Sequence, residues 1–304
     1  MDPQQLRTFV TVVRLASFSA AARELGYTQS AVSQQIAALE QELRAPLLQR
    51  RPVAPTEAGA RLLEHAPGIL LRLDAARADV ARVGGSARGL LRVAVTALAA
   101  PRPLAQALAA TRHAFPRAEL AVSLVGREAA VTAVAAGEAD VAVVDGVAAP
   151  SDPLALPAAA PVSAVPVAQR RLAVLLPVGH PLEGRRRIRL ASLQDAFWLD
   201  APDAAVPLAE LRGATGSDAF PPSLALAGPS VGAVTACVAA RLGLAVVPVP
   251  GPFGGEGPPG EGVVAVPLAD GGLLHRTEAV WSGARTGVVE HFVAGLEDTG
   301  SNQL

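Results

Sequence analysis

Residues 26–36, Gly-Tyr-Thr-Gln-Ser-Ala-Val-Ser-Gln-Gln-Ile, combine a helix stop, a helix start and an amphipathic helix in one short stretch. Gly26 can end a preceding helix in the left-handed conformation, and Thr28 is a good N-cap for the next one. Beyond this cap, apolar residues recur at steps of four and three and predict one buried stripe: Val32, Ile36, Leu39 and Leu43. The stretch therefore predicts two helices joined by a tight turn.

The other face of this helix carries short hydroxyls and amides, with no Glu or Arg: Gln29, Ser30, Ser33 and Gln34. Gln can read the paired donor and acceptor of adenine, Ser can reach a base or a phosphate, and a helix N-terminus attracts phosphate. Upstream, residues 4–15 predict a helix capped by Asp2, and residues 19–25 predict a short helix with small alanines. Small residues let two helices cross closely, so the pattern predicts a helix-turn-helix that reads DNA with the helix after Thr28.

Further motifs surround this helix: Leu6-Arg7-Thr8-Phe9, Ser17-Phe18-Ser19-Ala20-Ala21-Ala22, Leu39-Glu40, Pro46-Leu47 and Thr56-Glu57-Ala58-Gly59. In residue type and spacing they resemble the N-terminal signature of the LysR-type transcriptional regulators. The resemblance implies a winged helix-turn-helix in residues 1–58, with Arg50 and Arg51 of the wing reaching DNA phosphates. Two departures from the family pattern stand out, since Arg44 replaces a usual glycine and the segment 50–56 is shorter than usual. Three helices of an unrelated bundle are the alternative.

After Thr56, a natural cap, residues 57–83 predict one long helix. Its apolar residues repeat every 3.5 positions, as in a coiled-coil seam: Leu62, Ala66, Ile69, Leu73, Ala76 and Val80. The resemblance implies that this linker, residues 59–86, pairs between two subunits and supports a homodimer and a homotetramer. Pro67 predicts a kink or break between Leu63 and Pro67, because it removes a helical hydrogen bond. Two separate short helices in a monomer are the alternative.

From residue 87 onward, short apolar strands alternate with alanine-rich helices, which predicts an α/β architecture. The predicted elements form lobe I, residues 87–163 plus 267–304, and lobe II, residues 164–266. Residues 148–165 are expected to be an irregular crossover, residues 251–262 a mobile loop, and residues 263–267 a return toward lobe I. The stretches Gly137-Glu138-Ala139-Asp140, Gly179-His180-Pro181-Leu182 and Leu242-Gly243-Leu244-Ala245 extend the resemblance to the family's effector-binding domain, which is shaped like a periplasmic binding protein.

In such a fold a ligand binds between the lobes, where strands end and helix N-termini present free N–H groups. The positions that meet this description are Thr96, Ala97, Gly126, Arg127, Asp200 and Ser230. Hydroxyls at two helix starts together with Arg127 would suit a small carboxylate, an effector type that is common in the family. The alternative is that Thr96 and Ser230 are only caps and Arg127 is only a surface charge.

A serine hydrolase is the competing function. Gly228-Pro229-Ser230-Val231-Gly232 fits a nucleophile elbow, with Asp270 and His275 following in the required order. However, no His-Gly-Gly oxyanion loop precedes it, and Pro229 cannot donate an N–H. We therefore expect no enzyme activity.

Composition constrains the partners and the compartment. The net charge of −1 gives no global attraction to nucleic acid, so DNA affinity must come from local charge placement. A single cysteine, Cys237, and the lack of a charged-then-apolar leader predict a cytoplasmic protein, and charges interrupt every apolar run, which predicts no membrane span. The five histidines show no ligand spacing, so we expect neither a metal nor a cofactor. The expected partners are double-stranded DNA, a small effector, further copies of the chain and, through the family, RNA polymerase.

Overall fold

The structure, a computed structural model, describes residues 1–85, 89–99, 101–156, 162–249, 261–269, 272–283, 285 and 287–301. Residue contacts divide the chain into two units, Met1–Ala78 and Asp79–Leu304. Each unit has its own buried core, as separate domains do.

The first unit contains three short helices, a hairpin and most of a long helix. In chain order these are α1 (Pro3–Leu15), α2 (Phe18–Leu25), α3 (Gln29–Leu43), β1 (Leu48–Arg50), β2 (Val53–Pro55) and α4 (Glu57–Gly85). The side chains of Asp2, Ser17 and Thr28 cap the first three helices by accepting backbone N–H groups. Gly26 ends α2 at φ 71°. The predicted helix-turn-helix is therefore confirmed.

The apolar stripe of α3 packs into the core of this unit. Val32, Ile36 and Leu39 are completely buried against Phe9 of α1 and its neighbours. Leu43 is 40% exposed, so the buried part of the stripe ends one turn earlier than predicted. Burial of one face leaves the polar face of α3 at the surface.

Arg44 caps the C-terminus of α3 in the left-handed conformation, with φ 53°. An L side chain is strained there by about 1 kcal/mol, so Arg44→Gly should raise the stability of the first unit by about 0.5–1 kcal/mol. Native-state hydrogen exchange of the α3 amides measures the effect. Gly26→Ala is the reciprocal control: it places a side chain at φ 71° and should lower protection. Equal protection in both variants would contradict the strain argument.

The wing is a hairpin closed by two residues. β1 and β2 pair antiparallel with Arg50 opposite Val53, so Arg51-Pro52 forms the loop. α4 begins after Thr56, whose Oγ1 accepts the N–H of Gly59 at 3.0 Å. The hairpin is therefore retained in spite of the short segment.

α4 is continuous through Pro67, so the predicted break is wrong and only the kink stays a prediction. The turns before Pro67 are held in place because Leu62 and Leu63 pack against the core and Ala66 is fully buried. That packing offsets the one helical hydrogen bond that proline cannot make. α4 also extends two residues beyond the predicted helix end at residue 83, to Gly85.

The second unit alternates strands and helices, with a 3-10 turn at Leu190–Leu193. Its elements are β3 (Leu90–Val95), α5 (Pro101–Ala114), β4 (Glu119–Leu124), α6 (Arg127–Ala135), β5 (Val141–Ala148), β6 (Ser163–Arg170), β7 (Leu172–Pro177), β8 (Trp198–Asp200), α7 (Leu208–Thr215), β9 (Pro222–Ala225), α8 (Val231–Ala239), β10 (Ala245–Pro248), β11 (Val263–Pro267), β12 (Leu274–Trp281) and α9 (Val288–Ser301).

These elements form two lobes. Lobe I is a five-stranded sheet of order β4-β3-β5-β12-β6, covered by α5 and α9 on one face and by α6 on the other. Lobe II combines a three-stranded sheet of order β10-β7-β11 with the parallel pair β8-β9. The predicted two-lobed α/β fold is confirmed. Among the described residues, no helix is long and apolar enough to cross a membrane.

The predicted lobe boundaries need correction. Residues 163–170, expected to be partly irregular and partly in lobe II, form β6 and pair with β12 in lobe I. Residues 263–267 do not return to lobe I, because β11 pairs with β7. Lobe II therefore extends from β7 to Leu268. Pro166 made β6 hard to predict from the sequence, because proline is unfavourable inside a sheet. β6 is an edge strand, which tolerates proline. The interior of the predicted crossover, 157–161, and most of the predicted mobile loop, 250–260, lie outside the described residues.

Candidate functional site

The first candidate site is the exposed polar face of α3. Thr28, Gln29, Ser30 and Gln34 are exposed, and Ser33 is half-buried. The hydroxyls of Thr28 and Ser30 lie 2.9 Å apart, and Gln29 Oε1 accepts from Ser19 Oγ of α2 at 3.1 Å. The face therefore presents ordered amides and hydroxyls at the N-terminal end of a capped helix, which is the end that contacts bases in helix-turn-helix proteins.

Arg50 and Arg51 are exposed at the tip of the wing. The Arg50 guanidinium lies over the Phe18 ring, 5.7 Å from its centroid, which ties the hairpin to the start of α2. Guanidinium groups bind phosphate in a bidentate manner, so the wing can contact a nucleic-acid backbone.

The predicted dimer seam on α4 divides into a covered part and an open part. Leu62 packs on the core of the first unit and Ala66 is fully buried, so these two residues serve that unit. Ile69 is 39% exposed, Ala76 is exposed and Val80 is 74% exposed, whereas Leu73 is half-buried. An apolar stripe thus remains open from Ile69 onward.

The second candidate site is centred on the Asp145 carboxylate, which is completely buried in the middle of β5. Its Oδ2 accepts from Arg127 Nη2 at 2.8 Å and lies 3.1 Å from His275 Nε2. Its Oδ1 accepts from the Thr96 hydroxyl, and Thr96 Oγ1 accepts the Asp145 N–H at 3.0 Å. Every oxygen of this carboxylate therefore has a partner.

The charge states of this cluster follow from its surroundings. Burial alone would raise the pKa of Asp145, but the hydrogen bond from His275 and the charge of Arg127 hold that pKa well below its usual range. Burial lowers the pKa of His275, more than Asp145 raises it, so the imidazole is neutral and its Nε2–H donates to Asp145. Burial and the nearby Asp145 raise the pKa of Glu210.

Arg127 also joins the two lobes. Its Nη2 donates to the Ala205 carbonyl of lobe II at 3.2 Å, and its backbone N–H donates to Asp203 Oδ1 at 3.2 Å. Gly126 makes this approach possible, because a Cβ there would lie 2.6 Å from Asp203 Oδ1. The N-terminus of α6 is therefore in contact with a carboxylate from lobe II.

A cavity of about 260 Å³ adjoins this cluster. Its walls come from α6, β5, the segment after β5 and α7: Arg127, Glu128, Val131, Val144, Asp145, Gly146, Val147, Leu154, Ala155, Leu156 and Glu210. Two buried atoms on this wall have no hydrogen-bond partner, Arg127 Nη1 and Glu210 Oε2. A ligand that pairs with them would remove two unsatisfied polar groups.

The predicted effector residues do not all meet at this cavity. Arg127 lines it and Thr96 supports it through Asp145, whereas Gly126 lies against Asp203. The other three lie outside its wall: Ala97 is half-buried after β3, Asp200 is half-buried in β8, and Ser230 is the exposed N-cap of α8.

Sequence reasoning missed Asp145, Asp203 and Glu210, and it named His275 only for the competing hydrolase function. A carboxylate inside the apolar run of residues 141–148 was the available signal for Asp145, since a buried charge needs a partner. Glu210 had no such signal, because α7 itself was not predicted, and Asp203 had none because it lies in the loop between β8 and α7.

The hydrolase alternative finds no support in this geometry. Ser230 is exposed, whereas His275 is fully buried and bonded to Asp145. Asp270 lies outside the described residues. No group of three or more His, Cys, Asp or Glu suited to a metal occurs in the part of the chain that the structure describes.

Comparison with known proteins gives the family. Residues 3–60 match the bacterial regulatory helix-turn-helix protein, lysR family, and residues 84–300 match the LysR substrate binding domain. A probable hydrogen peroxide-inducible genes activator of Mycobacterium leprae is 35% identical over 191 residues, which cover 62% of this chain and 58% of that protein.

Solved structures agree in fold. Full-length CbnR complexed with its target DNA has a TM-score of 0.56 at 19% identity and covers 99% of this chain and 100% of its own. HinK, a LysR family transcriptional regulator from Pseudomonas aeruginosa, has a TM-score of 0.54 at 23% identity and covers 99% of both chains. Since both family matches together span most of the sequence, the chain belongs to the LysR family of bacterial regulatory proteins.

Proposed function

We propose that this protein is a sequence-specific DNA-binding transcriptional regulator that responds to a small molecule bound between its two lobes. The observation that carries the proposal is the polar, uncharged face of α3 at the N-terminal end of a capped, buried helix. In this proposal residues 1–58 bind DNA, residues 59–86 link subunits, and residues 87–304 bind the effector, with the lobe boundaries as corrected above.

The reading residues are those on the exposed face of α3: Thr28, Gln29, Ser30, Ser33 and Gln34. They enter the major groove, while Arg50 and Arg51 hold the backbone on either side. The DNA-binding domains of two subunits then place their α3 helices in successive major grooves of an inverted repeat.

The open part of the α4 seam supports self-association. Ile69 and Val80 expose apolar area that a second α4 would cover. The proposal therefore includes a homodimer, its pairing into a homotetramer, and contact with RNA polymerase when DNA is bound. The proposal also places the protein in the cytoplasm, the bacterial compartment that contains the DNA.

The primary test is footprinting of the purified protein on sheared DNA from its own genome at physiological salt. Protected inverted repeats upstream of a few genes are expected. Uniform, salt-labile binding without a preferred site would contradict the proposal, because phosphate contacts alone give such binding.

Substitutions should distinguish the residues that contact DNA bases from those that contact the DNA backbone. Gln29→Ala should weaken binding to the protected repeat by about 1–3 kcal/mol per lost base contact and leave non-specific affinity unchanged. Arg50→Ala should weaken both equally and reduce the salt dependence. Titrations of specific and random duplexes at several salt concentrations measure both effects. Gln41→Ala, exposed at the far end of α3, is the matched control. An unchanged specificity ratio in Gln29→Ala would remove Gln29 from the groove.

The effector is proposed to act by binding rather than by disulfide formation. The Mycobacterium leprae relative is described as a probable activator of hydrogen peroxide-inducible genes, but this chain contains a single cysteine, Cys237. One thiol cannot form a disulfide within the chain. A small carboxylate was expected from Arg127, whose guanidinium is already paired with Asp145. A carboxylate effector would therefore have to share Arg127 with that residue.

A further inference from the structure

The two anion-binding groups near the cavity are already occupied by carboxylates of this chain. Asp145 neutralises the Arg127 guanidinium at 2.8 Å, and Asp203 accepts the Arg127 N–H at the start of α6. A helix N-terminus and an arginine are the features that usually attract an anionic ligand. Since carboxylates of this chain already compensate the charge of the guanidinium and of the helix end, little positive potential is left for a ligand carboxylate.

The groups that remain on the cavity wall are acidic. One cation, Arg127, faces three carboxyl groups, those of Glu128, Asp145 and Glu210. Because Arg127 and Asp145 form an ion pair, the two glutamates are the ionisable groups that remain on the cavity wall. Glu210 Oε2 is buried without a hydrogen-bond partner, so this carboxyl group has an unused acceptor.

The rest of the cavity wall is apolar, and its side chains are closely packed. Val131, Val144, Leu154 and Leu156 line the cavity, and the Leu154 side chain fills the space beside Gly146, where a Cβ would lie 2.9 Å from Leu154 Cδ2. A volume of about 260 Å³ is slightly below that of pockets for drug-sized ligands. The occupant is therefore a compact molecule with a short apolar body.

We propose that this cavity binds a small organic cation, an ammonium group on a short apolar body, with Glu210 as its charged anchor. The inference rests on the proposed effector role of the interlobe site and specifies the ligand class. The ammonium donates to Glu210 Oε2, the apolar body lies on the valine and leucine wall, and a neutral oxygen on the ligand can accept from Arg127 Nη1. A buried cation requires such a paired carboxylate.

The anchor also connects ligand binding to lobe closure. Glu210 belongs to α7 of lobe II, yet it lines the cavity together with Gly146 and Val147 of lobe I. A cation at Glu210 therefore interacts with a group that bridges the lobes, so occupancy shifts the equilibrium between lobe arrangements.

The test compares three probes with the same four-carbon body on the full chain: 1-butylammonium, 1-butanol and butyrate. Ligand-observed NMR titration at neutral pH should show saturable binding of butylammonium in the millimolar range. Butanol should bind at least tenfold more weakly and butyrate not at all. Glu210→Gln should weaken butylammonium at least tenfold and leave butanol unchanged. Glu290→Gln, an exposed glutamate on α9 at the opposite face of the sheet, is the matched control.

Glu210→Asp is the second variant, because it keeps the charge but withdraws it from the cavity by one methylene. It should also weaken butylammonium, even if Glu210→Gln fails to fold. Butyrate binding as tightly as butylammonium, no saturable butylammonium binding, or equal affinity in wild type and both Glu210 variants would overturn the proposal. Footprints are recorded with the same preparation, so that loss of the cation site is distinguished from failure of DNA recognition.

Discussion

Arg127→Leu is expected to destabilise the second unit by about 3–5 kcal/mol. The substitution removes the cation from Asp145, whose side chain is completely buried, and leaves that charge with only His275 and Thr96. It also removes the hydrogen bond to the Ala205 carbonyl that joins the lobes. Urea unfolding followed by tryptophan fluorescence reports on this unit alone, because both tryptophans, Trp198 and Trp281, lie in it.

The pH dependence of this loss tests its electrostatic origin. The pKa of Asp145 is lowered in the folded state, so its ionised form stabilises the wild type fully above the unfolded pKa of about 3.9. That contribution is lost as the pH falls through the folded pKa. Without the charge of Arg127, the pKa of Asp145 is higher than in the wild type, and protonation of Asp145 removes the uncompensated buried charge from the variant. The stability difference should therefore be largest at pH 7 and shrink toward about pH 3.

Arg117→Leu provides the matched control, since Arg117 is exposed in the same lobe. Its effect should stay within about 0.5 kcal/mol. A difference between wild type and Arg127→Leu that is independent of pH would mean that Arg127 acts through packing, and that Asp145 does not depend on it for its charge.

Local signals predicted the elements of the first unit, because caps and periodicity act within a few residues. Thr28, Gly26 and Thr56 each form the cap that their residue types imply. Leu62 and Ala66 also fit their predicted stripe, but the sequence could not show that the first unit itself covers them. Which partner buries an apolar face is a tertiary property.

The second site depends on contacts between distant residues, and this is where prediction from sequence failed. Asp145 and His275 are 130 positions apart, and Asp145 and Arg127 meet only because α6 connects β4 to β5. Arg127 was predicted to bind an anionic effector because it follows a strand at a helix start. In the structure it is paired with Asp145, so its charge is compensated within the chain. A sequence gives the charge of a residue, whereas the fold decides whether that charge is available to a ligand.

Gly59→Ala should disrupt the first unit with little effect on the second. Gly59 lies in the first turn of α4, and a Cβ there would lie 2.0 Å from the Leu47 carbonyl oxygen and 3.3 Å from Pro55 Cβ. The oxygen cannot move freely, because it accepts the Thr56 N–H at 2.9 Å and Leu47 is buried in the core. We expect a cost of about 3 kcal/mol, the upper end for overpacking.

The consequence for function follows from the hairpin. Leu47 precedes β1 and Pro55 ends β2, so relief of the clash shifts the wing away from α3 and carries Arg50 and Arg51 with it. DNA footprints should disappear and amides of residues 1–55 should lose hydrogen-exchange protection, while the tryptophan-detected unfolding of the second unit stays unchanged. Gly213→Ala in α7, whose Cβ would meet no heavy atom within 4 Å, is the control and should be neutral or slightly stabilising. If Gly59→Ala still protects its operator, then the wing does not need its position beside α3, and DNA recognition rests on that helix alone.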